Sequence, residues 1–269
     1  MISGRGIRAG LAGAALLALT ASCEGILGGV YDNEPEAPEP VTGPGTLYVD
    51  ASDWTRWYYI DLVEVAEKSA ADPQYNTSEA WKSFPIPGAS DADGKTTDVR
   101  PAPGTPGIYT YWYDVFGQGT SVNEFRTFMP TGPQPAPERW SLAVHRNNVR
   151  TNGGEAAITT YTALEQLPEG TEWTAGLEFR GDEFNETDVW VAQGRMLTGL
   201  IGNEGIAVNP VLSGWLELLV PPMPPAFVQN SHVYVLRMAD GTMGALQLVD
   251  YMNQAGVKCC LTIRYKYPL

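Results

Sequence analysis

An all-β fold of mostly antiparallel sheets, with a few short helices and long loops, is predicted by three observations. Short runs rich in β-branched and aromatic residues recur from Thr46 onward, Gly, Pro, Asn and Asp break them about every ten residues, and helical periodicity is scarce. The chain of 269 residues is 43% hydrophobic and 10% aromatic, enough for a real core. In chain order the expected strands are Thr46 to Asp50, Thr55 to Leu62, Ile108 to Phe116, Glu124 to Met129, Arg139 to Arg146, Asp188 to Ala192 and Trp215 to Val220. Three more close the sequence. His232 to Met238 and Met243 to Val249 flank Ala239-Asp240-Gly241-Thr242, whose glycine suits a hairpin loop, and Lys258 to Tyr267 follows, giving an antiparallel meander. Residues 64 to 107 read differently: a short helix around Val63 to Ala71, then a polar, Pro-rich stretch, expected to be an insertion wrapping the sheet within a single domain over 46 to 269.

The first 22 residues read as an export signal. Arg5 and Arg8 precede an apolar run from Ala9 to Leu19, too short to span a bilayer, and small residues lead into Cys23. Leu19-Thr20-Ala21-Ser22-Cys23 resembles a bacterial lipoprotein box with the leucine one place further back than usual; ordinary secretory cleavage is the alternative. Either way the chain is exported. In the lipoprotein reading Cys23 carries the acyl chains, each buried methylene adding about 0.8 kcal/mol of membrane affinity. Residues 23 to 45 then form an acidic tether in which Pro35, Pro38, Pro40 and Pro44 favour extended backbone. The acidic stretch after the cysteine also resembles export tags of surface lipoproteins, which places the protein on the outer membrane, exposed to the outside.

Charge and motifs exclude several functions. With 17 basic and 31 acidic residues the net charge is −14, and removal of the signal makes it −16, so nucleic acid is not an expected partner. Two histidines and three cysteines leave no room for a His-rich metal site or a disulfide framework. No Gly-x-Ser-x-Gly elbow, phosphate loop or His-Glu-x-x-His is present, and Gly117-Gln118-Gly119 lacks the third glycine of a dinucleotide fingerprint. Hydrolase and nucleotide readings lack support, and a carboxylate pair for glycosidic acid/base work is left open among the many acids. Adjacent Cys259 and Cys260 are expected to pack structurally on opposite faces of a strand, and His145 and His232 to be hydrogen-bonded structural residues. Met196 and Met223 both fall in irregular segments. Met223 stands between two proline pairs, so stiff backbone presents its side chain, which suits a ligand; methionine is equally an adaptable core filler, and residue physics alone leans that way.

Several blocks resemble the HmuY family of haem-binding lipoproteins: Asp50-Ala51-Ser52 with Trp57-Tyr58-Tyr59-Ile60, then Trp140 to Gly154 with its His-Arg-x-x-x-Arg-Thr-Asn-Gly-Gly segment. Met223-Pro224-Pro225, Val233 to Arg237, Ala239-Asp240-Gly241, Leu246-Gln247-Leu248 and Leu261 to Tyr265 continue the pattern in order. The resemblance implies a sandwich-like β domain whose loops hold haem, iron protoporphyrin IX, between two axial ligands. It implies Met196 and Met223 as those ligands, 27 residues apart as in methionine-using members, with His145 in the scaffold and His232 beyond the loops. Pocket walls are sought near them in sequence, at Trp190, Leu197, Leu200, Ile201, Ile206 and Phe227. The resemblance implies a binding protein and not an enzyme: its function is capture of haem, free or from host haem proteins, and its transfer to a TonB-dependent outer-membrane receptor for iron and haem acquisition. A structural, adhesive or glycan-binding surface lipoprotein without haem is the alternative.

Overall fold

The computed structural model describes residues 42–88, 109–114, 123–128, 130–184, 206–219 and 226–269, all within one unit, Pro40–Leu269. The elements in chain order are β1 (Thr46–Asp50), β2 (Arg56–Ile60), α1 (Leu62–Ala71), β3 (Trp81–Pro85), β4 (Tyr109–Asp114), β5 (Asn123–Phe128), β6 (Leu142–His145), β7 (Asn148–Thr151) and β8 (Glu155–Ile158). There follow β9 (Glu183–Phe184), β10 (Ala207–Val208), α2 (Pro210–Ser213), β11 (Leu216–Leu219), β12 (Ala226–Gln229), β13 (Tyr234–Arg237), β14 (Met243–Met252) and β15 (Lys258–Lys266).

Among the described residues every strand pairing is antiparallel. One sheet runs β1-β15-β14-β13-β8 and another β3-β2-β6-β7, with β4–β5, β9–β10 and β11–β12 as two-stranded ribbons. The meander of β13, β14 and β15 is the one read from the sequence. Gly241 takes a φ of +87° in its first turn, where Asp240 Oδ1 accepts from the Thr242 amide at 2.9 Å.

Alternation along β2 explains how the two large sheets come together. Tyr58 and Ile60 join Leu142 and Val144 in one buried cluster with Leu47, Val49, Leu236, Leu246, Leu248, Leu261 and Ile263 of the five-stranded sheet. Trp57 and Tyr59 point the other way, into a second cluster with Ile86, Tyr109, Ala143, Ile206 and Val208. The apolar run Trp57 to Ile60 is therefore buried on both faces, which is why it carries no polar residue. A third cluster, Leu164, Leu167, Val233 and Ala245, covers the far side of the meander.

Within the segment read as an insertion, Trp81–Pro85 adds an edge strand to β2. Before it, α1 starts where the Asp61 carboxylate accepts from the amides of Val63 and Glu64, at 3.0 and 3.2 Å. The Glu64–Lys68 ion pair at 2.6 Å lies on its exposed face, and Leu62 and Val65 bury the other. Among the described residues no helix is long and apolar enough to cross a membrane.

Candidate functional site

The proposed ligands Met196 and Met223, the acylation site Cys23 and the wall candidates Trp190, Leu197, Leu200 and Ile201 lie outside the described residues, as does the expected strand Asp188 to Ala192. The structure does describe the feet from which the two methionine segments leave. Phe184 pairs with Ala207 across β9–β10, so residues 185–206 depart and return between neighbours. Leu219 pairs with Ala226 across β11–β12, flanking residues 220–225.

A run of contacts leads from one foot to the other. Ile206 is buried in the cluster against which Trp54 packs. The Arg146 guanidinium lies 4.0 Å from the Trp54 ring, and its Nη1 donates to the carbonyl of Ser52 at 2.7 Å and of Lys258 at 3.4 Å. Lys258 in turn places its ammonium 5.5 Å from the Phe227 ring, which meets Tyr251 at 5.8 Å. Of the wall candidates, Ile206 is thus a core residue beneath its foot and Phe227 a partly buried one. Apolar side chains are exposed on both ribbons and on the β14–β15 hairpin. Phe184 is 68% exposed, and Leu219, Val228, Val249, Met252 and Val257 on the adjoining β11–β12 and β14–β15 ends are exposed too.

Beneath the seam, His145 is fully buried. Its Nε2 faces the Trp54 carbonyl at 2.9 Å and so carries the proton, Nδ1 meets no hydrogen-bond partner in the protein, and the Trp57 and Tyr109 rings stand 5.3 and 5.2 Å away. Burial drives its pKa down to about 4. Such a neutral, enclosed imidazole serves the scaffold. His232 is held at the start of the meander, Nδ1 2.6 Å from Asn230 Oδ1. Cys259 and Cys260 are free and buried; desolvation pushes the Cys259 thiol up to about 11 and raises Cys260 also, so both are inert packing residues. Among the described residues no group of three or more His, Cys, Asp or Glu could hold a metal ion.

The buried histidine predicts an acid-sensitive fold. An unfolded imidazole titrates near 6.5 and the folded one near 4, so between these values the unfolded chain takes up a proton that the native one refuses. Stability should fall as pH drops from 6.5 to 4, by about 3 kcal/mol in total, then level off. Urea unfolding across that range should show the slope in the native chain and a shallower one in His145→Gln. Parallel curves would remove His145 as the cause.

The arginine seam was not anticipated from sequence. Its signal was present in the adjacent His145-Arg146 pair, since a basic residue inside a buried block needs carbonyl or aromatic partners.

A family model described as HmuY protein matches residues 53–265. The chain belongs to the HmuY family. A candidate lipoprotein from Bacteroides fragilis is similar at 27% identity and a TM-score of 0.51, covering 87% of this chain and 94% of that one. A candidate HmuY-like haem-binding protein from Bacteroides vulgatus is similar at 26% and 0.50, covering 87% and 96%. Apo PinO from Porphyromonas gingivitis, at 18% identity and a TM-score of 0.50 over 82% of this chain and 95% of its own, shares the fold. Among curated proteins none matches the chain. The residues matched by the family model include both ribbons.

Proposed function

We propose that this HmuY-family chain is a haem-capturing surface lipoprotein that binds haem through Met196 and Met223 and hands it to an outer-membrane receptor. The observation that carries the reading is the run of contacts from the Ile206 cluster through Trp54, Arg146 and Lys258 to Phe227, with exposed apolar side chains on both ribbons. The residues present fit a porphyrin: a large apolar face needs apolar cover, and Phe184, Leu219 and Val228 supply it beside the segments that would bring the donors. Chain length agrees. Met223 lies three residues from Ala226, so its Cα stays within about 11 Å of that foot, whereas the 11 residues from Met196 to Ala207 allow about 40 Å of reach.

Export and anchoring at Cys23 follow from the signal and tether, and the lipoprotein description of the Bacteroides fragilis relative supports them. Transfer to a receptor favours donors on loops, because a partner can displace one donor without opening the sandwich. Titrating haem into purified residues 23–269 should give a saturable, sharp Soret band at one haem per chain. A band no sharper than that of haem with an unrelated acidic protein would end the haem reading and leave an anchored adhesive protein.

A further inference from the structure

The sandwich has a second concavity, at the opposite end of β14 from the Lys258 seam. A cleft of about 420 Å³ opens between the start of α1 and the β13–β14 turn, within the range of small-ligand sites. β14 begins at this turn and runs ten residues to Met252, which pairs with Lys258 of the seam; at about 3.3 Å per residue the two ends are about 30 Å apart. We propose that this cleft is a binding site for one ring of a neutral saccharide.

Its lining combines two aromatic faces with both kinds of polar group. Trp140 and Tyr267 supply the rings, Arg139 and Asn152 the donors, and Asp61 and Glu138 the acceptors. Asp61 carries most weight. Its side chain is only 10% exposed; Oδ1 is committed to the α1 amides, while Oδ2 accepts no well-directed hydrogen bond although Arg139 Nη2 stands 3.2 Å away. The Arg139–Asp61 pair so formed at the cleft wall offers guanidinium N–H donors to a ligand hydroxyl, since Arg139 is 65% exposed.

Charge selects the class of ligand. A cation entering beside Asp61 meets the guanidinium already there, and an anion meets the carboxylates of Glu138 and Asp240. A neutral polyhydroxyl ring meets neither repulsion, donates to the carboxylates, accepts from Arg139 and Asn152, and lays its C–H face on an indole. The site does not depend on the haem reading, and a chain holding haem at one end could rest on a glycan at the other.

The test uses the mature chain, residues 23–269, with saturation-transfer NMR and titration of glucose, galactose, mannose and N-acetylglucosamine. At least one sugar should saturate with a Kd near about 1 mM, an affinity typical of a single polar ring contact. Asp61→Asn retains the capping oxygen and should weaken binding about tenfold. Glu138→Gln, at an exposed side chain with no partner among the described residues, should weaken it without altering thermal stability, and Trp140→Ala should abolish it. No saturation from any of the four sugars up to about 100 mM overturns the proposal, as does saturable binding that Asp61→Asn and Glu138→Gln leave unchanged. Binding of benzamidine or inorganic phosphate in place of the sugars also overturns it, by assigning the cleft to a charged ligand.

Discussion

Replacing Met196 and Met223 together by alanine is expected to erase the haem Soret shift while the far-ultraviolet circular dichroism stays that of the native chain. Both residues lie outside the described residues, and the circular dichroism reads directly whether their removal costs the fold. Each single variant leaves one axial donor and the apolar cover, and should bind at least about tenfold more weakly, a loss of about 1.4 kcal/mol. A thioether takes up no proton at accessible pH, so ligation should persist in acid down to the pH at which the fold fails. Met223→His separates ligation from mere structure. An imidazole in place of sulfur should keep haem bound and lower its midpoint potential, because methionine ligation raises the potential of haem iron. A variant that binds with an unchanged spectrum and potential would take Met223 out of the coordination sphere. His145→Gln should leave the spectrum in place, as the residue is enclosed between Trp57 and Tyr109.

How much of this was legible in the sequence differs between elements. β1, β14 and β15 stand out because each pairs over a long register and alternates or runs apolar accordingly, and α1 carries its own cap and ion pair. β8 is Glu-Ala-Ala-Ile, with little β preference of its own; it is a strand because Tyr234 to Arg237 lies alongside, some 79 residues later. β7 and β12 are four residues each and likewise exist through their partners. β3 was hidden in a segment of polar and proline residues and is held by Trp57 to Ile60. The site divides in the same way. The methionines come from a family pattern, whereas the seam that gathers their feet uses contacts 94 and 112 residues apart, which no local pattern announces.

That seam yields the second large effect: Arg146→Gly should destabilise the fold although it removes backbone strain. Among the described residues Arg146 is one of two non-glycine residues at positive φ, +56°, in the two-residue turn between His145 and Asn148. Glycine there should recover about 1 kcal/mol. Against this stand a charged hydrogen bond to Ser52, worth about 1.5–3 kcal/mol, a longer one to Lys258, and the guanidinium over Trp54, worth about 1–2 kcal/mol. Loss should therefore exceed gain by about 2 kcal/mol, visible as a lower urea midpoint. Lysine would keep the charge, lose the stacked fork and retain the strain, and should fall between native and glycine. In the proposed site Arg146 touches no haem, yet it ties Ser52 and Trp54 beneath one foot to Lys258 beside the other. Untied feet should diverge and hold the two methionines less well opposed, so haem affinity should drop several-fold at temperatures where the variant is fully folded. If Arg146→Gly lowers the midpoint but leaves the folded chain's haem affinity unchanged, the seam stabilises the sandwich without positioning its loops.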